Sequence, residues 1–191
     1  NVAIAALAAG AVLARTALQL KQDRVLLVAL GFGCVAGFFA VHAFSTPGVP
    51  WTGSYSYGSG TSDYDYGSPT VGLSAYLSVF IPAMFFAAAH TGIPELLNRV
   101  PGARPAVVSA VVMAILAFGY VGIFRPELIA GVPVAMAPFS YAVAILSGAM
   151  LLLAAWQQAR IYRRSHLPTQ AALGIAYLLL AEAQLSMATT E

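Results

Sequence analysis

Val25-Leu-Leu-Val-Ala-Leu-Gly-Phe-Gly-Cys-Val-Ala-Gly-Phe-Phe-Ala-Val-His-Ala-Phe44 runs without a single Asp, Glu, Lys or Arg. A helix rises about 1.5 Å per residue, so about 20 such residues match a hydrocarbon layer of roughly 30 Å. The run is continuous rather than alternating at period two. In hydrocarbon it must also satisfy its own backbone hydrogen bonds, so it is read as a helix. Five more runs of this kind lie outward from it, at 2–20, 71–92, 105–124, 140–159 and 170–188, against 25–44 for the first. The expected fold is all-α: an integral membrane helical bundle, one domain over 1–191, with six transmembrane helices and an outer loop at 45–70.

Composition agrees. Of 191 residues 60% are hydrophobic and 8% charged, with a mean hydropathy of +0.80. A soluble domain carries about 25% charged residues, so the apolar surplus needs the lipid bilayer as its partner. Nine Lys plus Arg against seven Asp plus Glu leave a net charge of +2, too little for a nucleic-acid binder. The single cysteine excludes a disulfide scaffold, and the hydropathy excludes a disordered chain.

The cations set an orientation. Arg15, Lys21 and Arg24 flank the first turn, Arg99 and Arg104 the third, and Arg160, Arg163 and Arg164 the fifth, leaving Arg125 alone on the opposite side. Lys and Arg are retained on the cytoplasmic side of short loops. Both ends of this segment are therefore expected outside a cytoplasmic (inner) membrane, together with loops 45–70 and 125–139. A chain that ends outside needs a further span before any cytoplasmic domain, and it begins at Asn1 instead of Met, so a portion of a longer protein is expected. The first run lacks a basic start and carries Arg15, unlike a signal peptide.

Between and within the runs, most polar signals are structural. Loop 45–70 interleaves Tyr55, Tyr57, Tyr64 and Tyr66 with Gly, Ser, Asp63 and Asp65 and reads as a solvated loop with tyrosines at headgroup level. Gly33 and Gly37 form a small-xxx-small pair for a close helix neighbour, Pro82 is expected to kink the third run, and Cys34 reads as a small buried hydrophobe.

Six of the seven acidic residues fall in loops or at termini; Glu182 does not. It stands about 13 residues into the sixth run, roughly 20 Å from the inner boundary. A membrane-embedded acid costs on the order of 2–3 kcal/mol on insertion scales, so it is expected to face the bundle and a partner. His42, roughly 26 Å from the same boundary, is the natural candidate at a depth differing by ~6 Å. An outer-half pocket is expected there, with His42, Glu182, Tyr120 and Gln184 binding a small ligand and His42 with Glu182 holding a metal or proton. The competing reading of the pair is a structural hydrogen bond between helices. His90 lies about 28 Å from the outer boundary, too far from His42 for one haem. No particular cofactor is indicated. No lysine is placed for a retinal Schiff base, and no triad, zincin motif or phosphate loop assembles, so an enzyme is not expected.

Phe39-Ala-Val-His-Ala-Phe-Ser-Thr-Pro-Gly48, Gly72-Leu-Ser-Ala-Tyr-Leu-Ser78 and Leu178-Leu-Leu-Ala-Glu-Ala-Gln184 together resemble a bacterial membrane sensory region. That multi-span region precedes histidine kinase, diguanylate cyclase or adenylate cyclase domains. The resemblance implies a seven-helix input unit, of which six helices lie here, and carries over His42, Thr46, Pro47, Gly48 and Glu182 as motif positions. The function expected first is thus a sensory domain for a small ligand, metal or proton. Its rivals are an accessory subunit of a respiratory or photosynthetic complex and a small transporter. A homo-oligomer or larger membrane complex is the expected protein partner.

Overall fold

A computed structural model of the chain describes residues 2–46, 69–129, 132 and 137–187. Among these are seven α-helices and no strand: α1 (Val2–Leu20), α2 (Asp23–Ser45), α3 (Pro69–Ala88), α4 (Ile93–Arg99), α5 (Ala103–Phe124), α6 (Ala137–Ser165) and α7 (Pro168–Met187). A 3-10 turn follows α5 at Pro126–Leu128. The all-helical class is as the sequence reads, and the six long helices coincide with the six apolar runs. Four of them, Asp23–Ser45, Thr70–Ala88, Ala103–Phe124 and Pro138–Ser165, are long and apolar enough to cross a membrane. This suggests a multi-pass protein in a lipid bilayer.

Two boundaries differ from expectation, and both shape the site below. The third run stops at Ala88; the chain turns through 89–92 and re-enters helix as α4, with a proline in the first turn where its missing N–H costs nothing. The fifth run continues past 159 to Ser165, because its polar end is made of good helix formers and carries Arg163 and Arg164 in the last turn, where cations favour the helix dipole. The loop calls on Pro47, Gly48, Tyr55, Tyr57, Asp63, Tyr64, Asp65 and Tyr66 lie outside the described residues.

α2 and α3 are central. α1 and α5 lie against α2, α6 lies against α3, and α7 packs most extensively on α6. The core at the α3–α6–α7 contact is built on Phe86, Leu151, Ala154, Tyr177 and Ala181. The Phe86 ring stands 5.0 Å from Tyr177 and 5.4 Å from Phe32, joining α2, α3 and α7. Gly31 makes this possible, since a Cβ there would lie 2.4 Å from the Phe86 ring. The small-residue contact therefore works through Gly31 towards α3 and Gly37 towards Ile115 of α5, whereas a Cβ on Gly33 would meet nothing within 4 Å. Pro82 is buried inside an unbroken α3, and Cys34 is buried as a small hydrophobe. Buried Ser74, Ser78 and Ser147 each donate to a carbonyl three or four residues back in their own helix, which satisfies a hydroxyl without water. α5 is apolar all round, and Gly119 and Gly122 are its buried residues. Such a helix needs no cover when lipid is the solvent.

Candidate functional site

The α1–α2, α3–α4–α5 and α6–α7 connections come together at one end of the bundle, which carries most of the cations and is called the basic end. Its frame is an ion pair. Arg104, at the start of α5, donates through Nε to Asp23 Oδ1 and through Nη2 to Asp23 Oδ2 at 3.1 Å. The same Nη2 donates to Asn98 Oδ1 at 3.0 Å, so one guanidinium fixes α2, α4 and α5. The Asp23 side chain is only 7% exposed, and its charge is matched on the spot. Arg24, next along α2, reaches Glu95 of α4 at 3.4 Å across an exposed pair.

Inside this frame opens a cleft of about 790 Å³. Its floor is apolar, formed by Leu13 of α1, Val25, Val28 and Phe32 of α2, and Leu173 of α7. Val25, Val28 and Phe32 recur at i, i+3 and i+7, one stripe of α2. Its rim is polar and includes Lys21, Arg24, His90, Glu95, Gln158 and Gln170. A second hollow of about 250 Å³ shares Arg24, His90 and Ile161 with it and adds Gln157, Arg160 and Arg164. His90 Nδ1–H donates to Phe86 O at 2.8 Å, which holds the ring against the end of α3. Gln158 is 4% exposed, and its buried Oε1 has no hydrogen-bond partner. A buried acceptor in that state wants a donor from water or a ligand.

The residues singled out in the sequence lie elsewhere. His42 sits about 28 Å along α2 from Asp23, at the opposite end. Its Nδ1 pairs with Val71 O at 3.0 Å and lies 3.4 Å from Ser74 Oγ, which ties α2 to α3. Thr46 Oγ1 donates to His42 O at 2.8 Å and closes the end of α2. Glu182 is exposed on α7 beside the buried Ala181, and no hydrogen bond or ion pair joins it to His42 among the described residues. Tyr120 is 60% exposed on α5 with its ring 5.3 Å from Phe124, so it faces away from the bundle. Gln184 is half-buried near the end of α7. His42 is thus engaged between α2 and α3, and Glu182 and Tyr120 are exposed on α7 and α5. No three His, Cys, Asp or Glu side chains gather in a metal-binding arrangement among the described residues.

The cleft had a signal in the sequence that composition hides. Gln157, Arg160 and Arg164, which line its smaller neighbour, are spaced i, i+3 and i+7, a polar stripe on one helix face with Ile161 beside it, but it shows only once α6 is known to run on to Ser165. No family model, curated protein or solved structure matches this chain.

Proposed function

We propose that this chain is a membrane-embedded input domain whose ligand site is the cleft at the basic end. One observation carries the reading: a hollow of about 790 Å³ with an apolar floor and a rim of convergent polar groups, within the roughly 300–1,000 Å³ of small-molecule sites. The cleft lies between α1–α2 on one side and α7 on the other, so an occupant bears on how the two sets pack, and occupancy becomes a bias on helix arrangement. The resemblance to sensory regions ahead of kinase and cyclase domains supports the same role. In this reading all six long helices span a cytoplasmic membrane, with the basic end inside and both ends of the segment outside.

The test needs no knowledge of the ligand. Nitroxide labels at Leu96→Cys on α4 and Thr169→Cys on α7, in a Cys34→Ala background in nanodiscs, report the distance across the cleft. Filling the floor by Leu173→Trp, or independently by Val28→Phe, is expected to shift the distance distribution. Identical distributions in both filled variants sink the input-domain reading. Purification in mild detergent checks the accessory-subunit rival, which requires co-migration with several other chains.

A further inference from the structure

We infer that the cleft holds an anionic phospholipid, its phosphate among Arg24, Arg160 and Arg164 and its acyl chain over Val28, Phe32 and Leu173; this rests on the cleft being the ligand site. The charge balance points to an anion. Lys21, Arg24, Arg160 and Arg164 line the two adjoining hollows, which share Arg24, His90 and Ile161, against Asp23 and Glu95, and Asp23 is neutralised by Arg104, which lies outside them. The Arg24–Glu95 contact is long and exposed on both sides, at 59% and 54%, so it yields readily to a stronger acceptor. Guanidinium forks match phosphate oxygens two at a time, and His90 lines both hollows with them.

The floor decides between a lipid and a free anion. Inorganic phosphate gains nothing from the Val28–Phe32–Leu173 surface, whereas an acyl chain gains by covering it. Basic pockets between helices at a membrane surface suit anionic headgroups.

The experiment is native mass spectrometry of the full chain released from nanodiscs of phosphatidylglycerol and phosphatidylcholine with identical acyl chains, with inorganic phosphate as a separate arm. One phosphatidylglycerol is expected to stay bound in preference to phosphatidylcholine by roughly tenfold. Arg160→Gln with Arg164→Gln is expected to abolish that preference, while Arg99→Gln with Arg163→Gln removes the same charge from outside the hollows and leaves it intact. Equal retention of the two lipids overturns the proposal. So does an equal loss in both double variants, which is the mark of diffuse surface charge, and so does phosphate binding without lipid retention. Should the Arg160/Arg164 variant not fold by circular dichroism, the lipid comparison on the native chain decides alone. Lipid selectivity with an unresponsive α4–α7 distance keeps the lipid and discards the input domain; a responsive distance without selectivity does the reverse.

Discussion

At the scale of single residues, two glycines six positions apart in α2 carry close contacts, one facing α3 and one facing α5. Gly31 admits the Phe86 ring; a methyl there must displace an aromatic side chain wedged between Phe32 and Tyr177. Gly31→Ala is expected to destabilise the bundle by about 1–3 kcal/mol, the cost of overpacking. Gly33→Ala meets open space and is expected to change stability little, with a small gain from helix propensity. Unfolding in mixed detergent micelles checks the pair, and equal effects of the two substitutions contradict this account. Composition marks both glycines alike, as small residues in an apolar run. Which one faces an aromatic ring depends on the rotation of α2 about its axis, and that is fixed by partners far along the chain. Glu182 teaches the same lesson: its place along α7 is legible from the sequence, but its direction is not, because the neighbours that set the face of α7 are on α6 and α3.

Among the elements, α4 is the piece the sequence did not announce. A helix of seven residues has too short a pattern to stand out, and Ile93-Pro-Glu-Leu-Leu-Asn-Arg99 reads equally well as a polar loop. Its role is to close the basic end: Asn98 and Glu95 bring it to Arg104 and Arg24, so charged groups clamp α2, α4 and α5 in addition to the apolar packing of Leu97 and Val108 on Leu26 and Leu30. Arg104→Ala leaves the buried Asp23 carboxylate without its partner and is expected to cost about 3 kcal/mol, whereas Asp23→Ala leaves a guanidinium that water can reach and is expected to cost less. The double substitution Asp23→Ala with Arg104→Ala is expected to cost less than the sum of its single changes, as for groups that interact directly. A double-mutant cycle on detergent unfolding measures this, and strict additivity removes the clamp. His42 acts similarly at the other end, where its imidazole ties α2 to the first turns of α3. A histidine so near the end of an apolar run looked, in one dimension, like a ligand waiting for an acid.

Across the whole molecule, charge is distributed by end. The α1–α2 and α6–α7 turns lie at the same end as Arg24 and Glu95, and the cleft sits between them. For a membrane-spanning bundle this gives a direct expectation. Cysteines placed at Lys21 and at Ser165, in a Cys34→Ala background, should react with an impermeant maleimide from the same side of a sealed vesicle. Labelling from opposite sides excludes the six-span arrangement. The sequence by itself determined the helical class, the positions of the six long helices and the clustering of cations, because each follows from hydropathy and length, which are local sums along the chain. Only the tertiary structure decided where a ligand has room. A cleft is a gap between helices that are distant in sequence, and its walls depend on helix rotation, on α4 and on the polar extension of α6. None of these is a property of any one run of residues.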